Sequence, residues 1–329
     1  LKDQLIKILK IVIPLGIGIY LTWYFISGMS DSDIQQAKNA FFEADYFWIV
    51  LSLIAAFLGH LSRAYRWLFL LEPLGYKPKL SSSYHAVMSG YIINYTVPRS
   101  GEVARAGLLT SSENVPFEKG FATIVVERVV DVLMLGAIVL VTSFLQAKSE
   151  EFDKIMEQNK QGDSNVIWFI LGGIFLMGAI GLFIYLKNAK IKAWVNEKLQ
   201  GFWEGLKSIW TMKRKWAFLF HTLFIWATYI LMLWFSALAF PQTENMPMEA
   251  ILAAFVVGAA AIALLPGGIG VYPLWVTGVL VMYNIHFAGF GIFVWVMQTA
   301  LILVLGLLSL YLIQMQTKAS KAKSDGTST

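Results

Sequence analysis

Six apolar runs in this 329-residue chain are each long enough to cross a hydrocarbon core of roughly 30 Å: Ile8 to Ile26, Phe47 to Leu71, Phe121 to Leu145, Val166 to Leu186, Trp216 to Phe240 and Ala288 to Ile313. The core offers no water to unpaired backbone groups, so a segment of this length closes its hydrogen bonds within itself as a helix. Composition agrees, with 57 % apolar residues and only 14 % charged, where a soluble domain carries about 25 % charged. That excludes a disordered chain, a collagen and an enzyme with an ordinary polar surface. The absence of cysteine excludes disulfides, thiolate metal sites and a cysteine nucleophile.

Two further apolar stretches do not fit the same description. Tyr84 to Val97 is too short to cross, and Ala250 to Tyr283 is interrupted by Pro266-Gly267-Gly268-Ile269-Gly270. Both are predicted to be broken or re-entrant hairpins. The fold class is therefore an all-α polytopic integral membrane helical bundle, six full spans plus two broken or re-entrant hairpin segments, forming a single transmembrane domain over residues 1–317.

Basic residues set the orientation, because cytoplasmic segments near span ends gather Lys and Arg. They crowd at the N-terminus (Lys2, Lys7, Lys10), after the second run (Arg63, Arg66, Lys77, Lys79, Arg99, Arg105, Lys119), around 187–215, and in the tail (Lys318, Lys321, Lys323). The opposite side receives Lys38, Lys148, Lys154 and Lys160. Both termini are thus predicted cytoplasmic, in an inner (plasma) membrane protein, and the net charge of +5 reflects loop placement and anionic lipid headgroups, not nucleic acid. This charge pattern requires each broken segment to enter and leave on one side, the first from the cytoplasm and the second from outside. Span, hairpin, span then occurs twice with opposite orientation, an inverted-repeat plan. Its sequence trace is faint: Val97-Pro98-Arg99-Ser100-Gly101 and Leu265-Pro266-Gly267-Gly268 share a Pro then a Gly, which two unrelated breaks would also do.

Residues 191–210 place Ile191, Trp194, Val195, Leu199, Phe202, Trp203, Leu206, Ile209 and Trp210 at helical spacing with lysines opposite. An amphipathic helix on the cytoplasmic leaflet fits, as does one packed on the protein's own cytoplasmic face. Residues 318–329 are polar and predicted to be a disordered tail.

From Trp216 to Thr317 the only charges are Glu244 and Glu249, so polar chemistry must come from the first half. The uninterrupted apolar run after Glu127-Arg128-Val129-Val130-Asp131 is too short to cross at a rise of about 1.5 Å per residue, which places Asp131 and Arg128 within hydrocarbon depth. Glu127 and Arg128 lie four and three residues before Asp131, close enough on one helix for an ion pair. The cluster is either a structural network locking two spans together or the lining of a hydrated cavity that handles a charged headgroup or protons. Arg63 and Arg66 either snorkel to the cytoplasmic headgroups or turn inward toward Glu127 or Asp131.

The stretch from Gly90 to Arg105 is the strongest local signal. A Pro98-Arg99-Ser100-Gly101 break frees backbone N–H groups, Ser100 is placed to cap the next helix, and Arg99 lies beside that positive helix end. These are the parts of an anion site, or of an ordinary loop with a capped helix. At the second break Gly267, Gly268 and Gly270 leave N–H groups approachable. His60, His85, His221 and His286 have no metal spacing and read as isolated packing histidines, and no nucleotide or hydrolase motif occurs, so neither metal nor cofactor is expected.

In chain order the sequence carries Arg63-x-x-Arg66-Trp67, Gly90-x-x-x-Asn94-x-x-x-Pro98-Arg99-x-Gly101-Glu102-x-x-Arg105, Glu127-Arg128-x-x-Asp131 and Pro266-Gly267-Gly268-x-Gly270. In these motifs, over almost its whole length, it resembles the flippase-like family named for the lysylphosphatidylglycerol synthase transmembrane region. The resemblance implies a bundle of membrane helices that moves or handles lipid-linked molecules. It also implies that Asn94, Arg99, Glu102, Arg105, Glu127, Arg128, Asp131 and the Pro-Gly-Gly loop are the positions of interest. Members often carry an acid shortly after that loop, where this chain has Val271-Tyr272-Pro273. The aminoacyl-transferring domain of the named synthases is missing from these residues, so the chain is not expected to make lysyl-lipid by itself.

The leading reading is a flippase-like protein whose headgroup contacts are Arg63, Arg66, Asn94, Arg99, Glu102, Arg105, Glu127, Arg128, Asp131, Gly267, Gly268 and Gly270, with no catalytic residue. Its partners would be membrane lipids, anionic or polyprenyl-linked, and no nucleic acid. The alternatives are a membrane-embedded lipid-modifying transferase using Glu127 or Asp131 as general base, and a scaffold subunit for a lipid-synthesising enzyme.

Overall fold

The computed structural model describes residues 16–97, 100–148 and 185–326, and regular structure within them is entirely helical. In chain order the helices are α1 (16–27), α2 (Asp31–Glu43), α3 (Tyr46–Leu71), α4 (Leu80–Thr96), α5 (Gly101–Glu113), α6 (Phe117–Gln146), α7 (Ala189–Thr211), α8 (Lys215–Leu238), α9 (Met248–Leu264), α10 (Val271–Met282) and α11 (Gly289–Gly326). Arg99 and nearly all of the run from Val166 to Leu186 fall outside the described residues. Among the described residues three helices, α3, α8 and α11, are long and apolar enough to cross a membrane, and α9 and α10 are shorter apolar helices. At 30 residues α6 is long enough, but Glu127, Arg128 and Asp131 in its middle reduce its apolarity.

Local chemistry sets several boundaries. Ser30 and Asp33 form a reciprocal capping box that starts α2, and Asp45 Oδ1 accepts the Phe47 N–H at 2.9 Å to start α3. The polar segment from Lys318, predicted to be disordered, instead continues α11 to Gly326. Its Lys and Ala residues favour helix, and no glycine or proline interrupts them before Gly326.

A helical hairpin forms at each of the two predicted breaks. α5 doubles back along α4, and its final residue, Glu113, accepts hydrogen bonds from the Ser82 hydroxyl and the Lys79 N–H at the start of α4. The hairpin therefore begins and ends at one level. Its helices touch through glycine: a Cβ on Gly101 would stand 2.2 Å from the Gly90 carbonyl oxygen. In the second hairpin, α9 and α10 are joined by a turn with Gly267, Gly268 and Gly270 at φ of 60°, 69° and 74°, a left-handed backbone that disfavours any side chain.

Element order repeats as long helix, hairpin, long helix: α3, α4/α5, α6, then α8, α9/α10, α11. Packing repeats with it. α3 packs on α4 as α8 does on α9, α5 on α6 as α10 on α11, and α4 on α11 as α9 on α6. α3 and α8 run antiparallel, since Ser52 meets Ser236 and Ser62 meets His221. Opposed halves with corresponding contacts are the pattern that an inverted repeat produces.

α7 begins on Asn188, whose side chain accepts from the Lys190 and Ile191 N–H groups. At its other end Ile209 and Met212 are buried with Phe69, Val130 and Phe218, while Trp203 and Trp210 stay exposed. That end thus rests on the body of the protein and also presents indole rings outward.

Candidate functional site

The site is assembled from three helices. On α3, Arg63 and Arg66 are three residues apart; on α6, Glu127 and Asp131 are four apart; on α5, Glu102 and Arg105 are three apart, so each pair shares a helix face. Packing brings those faces together. Arg63 Nη1 lies 2.7 Å from Asp131 Oδ2 and Arg66 Nη2 lies 2.9 Å from Asp131 Oδ1. Arg66 Nε is 3.4 Å from Glu127 Oε1, and Arg105 Nη1 is 2.7 Å from Glu127 Oε2. Arg128 reaches both Glu102 and Asp131 at 3.4 Å.

Of the two orientations open to Arg63 and Arg66, the structure adopts the inward one. Both are buried, Arg66 completely, and Arg66 also donates to Thr222 on α8 at 3.3 Å. Asp131 holds two arginines from the neighbouring helix more closely than it holds Arg128 on its own. An isolated charge at such a place costs several kcal/mol to desolvate, which the mutual pairing offsets.

The pairing does not balance. Among the described residues four arginines face three carboxylates; the buried Nε and Nη2 of Arg105 have no hydrogen-bond partner there, nor do Arg66 Nε and Arg128 Nε, while both Glu127 oxygens are held by ion-pair contacts alone. The Arg105 guanidinium lies 3.8 Å from the centre of the Trp67 ring, a cation–π contact, and Trp67 is fixed by donating to Thr123 at 2.8 Å. Arg128 and Glu102, with side chains 43 % and 30 % exposed, form the accessible edge.

Asn94 has a different task from the charged residues: its Oδ1 accepts the Gly101 N–H at 2.7 Å and so caps α5 from α4. Sequence spacing gave that role to Ser100. Ser100 has helical backbone angles, φ −94° and ψ −12°, where a capping residue is extended, and its hydroxyl turns back to the Val97 carbonyl.

Gly267, Gly268 and Gly270 do not join the arginines. A Cβ on Gly267 would stand 2.2 Å from the Tyr95 ring, and one on Gly270 would stand 2.5 Å from the Gly18 carbonyl of α1. The Gly268 N–H is used within the turn, by Leu265, and the Gly267 carbonyl accepts from Trp295 Nε1 at 2.7 Å. Gly268 and Gly270 are buried and Gly267 is half-buried, and of the three N–H groups expected to stand open the Gly268 one is taken up within the turn. The turn of the second hairpin nonetheless meets the first hairpin, at Tyr95, just before that hairpin's break.

Three histidines read as isolated have partners: His60 the Tyr229 hydroxyl, His85 Ser309 and His221 Ser62. Tyr229 and Thr222 carry no charge and lie in an apolar run, so nothing in the sequence marked them. Among the described residues no group of His, Asp and Glu is arranged to hold a metal ion.

A family model described as "Lysylphosphatidylglycerol synthase TM region" matches residues 11–309. Among curated proteins, UPF0104 membrane protein MJ1595 of Methanocaldococcus jannaschii is 27 % identical over 144 residues, which is 42 % of this chain and 39 % of that protein. UPF0104 membrane protein MJ1078 of the same organism is 29 % identical over 204 residues, 60 % of this chain and 82 % of that protein. The chain thus spans well under half the length of the first of these relatives and most of the second. No solved structure matches it.

Proposed function

Because the chain belongs to the family of the lysylphosphatidylglycerol synthase TM region and is a helical integral membrane protein, we propose that it acts as a flippase-like protein that moves an anionic phospholipid or lipid-linked molecule across the bilayer. The observation that carries this reading is the surplus guanidinium of the α3/α5/α6 network, with two buried Arg105 donors left over. A guanidinium fork matches a phosphate oxygen pair, and a lipid phosphate would supply the missing negative charge. The headgroup enters at the Arg128–Glu102 edge while its acyl chains stay in hydrocarbon. Following the distribution of basic residues, both termini are cytoplasmic in the plasma membrane and the α4/α5 hairpin opens toward the cytoplasm.

Transport is favoured over transferase chemistry by the state of Asp131. Both its oxygens are engaged by guanidinium groups, which leaves neither free to take a proton from a substrate hydroxyl. The test is reconstitution in liposomes carrying labelled phosphatidylglycerol, without nucleotide. Accelerated transbilayer movement, weakened by Arg105→Ala, supports the reading; an unchanged rate together with a new lipid product would replace it with the enzyme. A charge-assisted bond to phosphate contributes about 1.5–3 kcal/mol, so Arg105→Ala should weaken headgroup binding roughly ten- to a hundredfold.

A further inference from the structure

The network does not end at Asp131. Arg63 Nε donates to the Tyr229 hydroxyl at 3.4 Å, and that hydroxyl lies 3.4 Å from His60 Nδ1. His60 sits one turn before Arg63 on α3, buried, with the rings of Tyr91 from α4 and Tyr229 from α8 centred 5.2 and 5.8 Å from its own. Close packing fixes this arrangement. A Cβ on neighbouring Gly59 would stand 2.7 Å from Thr228 Oγ1 and 2.9 Å from the Tyr229 ring, so α3 and α8 touch beside the hydroxyl.

The ionisable groups around His60 are Tyr91, Tyr229 and Arg63, with Asp131 of α6 beyond Arg63. Among the described residues no carboxylate contacts the imidazole directly. In the neutral tautomer that carries its proton on Nε2, Nδ1 accepts from Tyr229, which in turn accepts from Arg63. A proton on Nδ1 turns it into a donor, reverses that bond, and adds a positive charge one helical turn from Arg63. The network already has a guanidinium in surplus, so this charge is resisted until an anion arrives.

We propose that His60 couples lipid binding to a proton: docking of a phosphate-bearing headgroup on the arginine network draws one proton from water onto His60 Nδ1, and headgroup and proton travel together. The inference rests on the arginine network being an anion site, and it names what could drive directional movement. The coupling runs through contiguous partners, His60 to Tyr229 to Arg63 to Asp131 to Arg66 to Glu127 to Arg105. Linkage is reciprocal, so a headgroup that favours the proton is itself favoured by low pH, by up to about tenfold in affinity per pH unit for one proton.

The test uses the full chain in nanodiscs of phosphatidylcholine, titrated with phosphatidylglycerol at about pH 6 and about pH 8, the range in which an unperturbed imidazole changes charge. The phosphodiester stays ionised throughout. Wild type should bind more tightly at the lower pH and take up protons on binding; His60→Gln should bind at both with the affinity of wild type at the higher pH. Tyr229→Phe keeps the ring, removes the hydroxyl link and should likewise flatten the pH dependence, so the question stays answerable if one variant fails to fold. A pH dependence unchanged in both variants, or absent in wild type, overturns the coupling while leaving the anion site standing. Absence of saturable phosphatidylglycerol binding by wild type at either pH overturns the anion site itself, and the coupling with it.

Discussion

Arg105 at the start of α5 and Glu127 in the middle of α6 lie 2.7 Å apart with their side chains almost fully removed from solvent. This one contact ties the second arm of the first hairpin to a long helix near the point where the hairpin turns. Glu127 has a second, looser partner in Arg66 at 3.4 Å, whereas among the described residues Arg105 has no second acid.

Removing one partner of a buried pair leaves the other charge exposed to a poor solvent. Arg105→Ala should therefore destabilise the detergent-solubilised protein by about 3–5 kcal/mol, and adding Glu127→Gln should restore much of the loss. Thermal unfolding of both variants checks this. Strictly additive losses would mean that the two residues do not act as a pair.

The contact between hairpins makes a separate demand. Gly267 adopts a left-handed backbone and faces the Tyr95 ring, so Gly267→Ala meets both strain and a clash. Tyr95→Ala in the same chain should relieve the clash but not the strain, giving partial rescue of thermal stability. No rescue would place Tyr95 away from the turn.

Because the chain has no cysteine, a disulfide can report on α1. A Cβ on Gly18 would stand 3.2 Å from the Ile269 Cβ, close to the spacing that a disulfide requires. Gly18→Cys with Ile269→Cys should cross-link under mild oxidation, seen as a mobility shift reversed by reductant. Failure to cross-link would separate α1 from the second turn.

Orientation is open to direct measurement. Cysteines at Asp31 and Ser320 should label from opposite sides of an intact membrane, Ser320 from the cytoplasm, as the crowding of Lys and Arg requires. Labelling of Ser320 from outside would invert the scheme.

Much of the architecture was legible because it is written in local features. The lengths of three apolar runs announced α3, α8 and α11, and the Pro/Gly breaks announced the pairing of α4 with α5 and of α9 with α10. Motif residues were legible as a set, but their roles were not. Helical spacing suggested that Arg128 pairs with Asp131, and could not show that Arg63 and Arg66, on another helix, come closer. Ser100 stood one residue before α5 and so read as its cap, whereas Asn94 does that work from the facing helix because Gly90 and Gly101 let the two backbones touch. The glycines at 267, 268 and 270 read as an open N–H surface, and only the tertiary arrangement shows Tyr95 beside Gly267 and α1 beside Gly270.

The most direct measurement compares transbilayer movement of labelled phosphatidylglycerol and labelled phosphatidylcholine in liposomes holding wild type or the Arg105→Gln, Glu127→Gln double variant. The double variant removes the free Arg105 donors without leaving a buried acid unpaired at their side, and its unfolding temperature separates loss of activity from a broken fold. Wild type should accelerate phosphatidylglycerol over phosphatidylcholine, and the double variant should lose that preference while unfolding near the wild-type temperature. A folded double variant that moves phosphatidylglycerol as fast as wild type would contradict the claim that the free Arg105 donors carry the lipid phosphate.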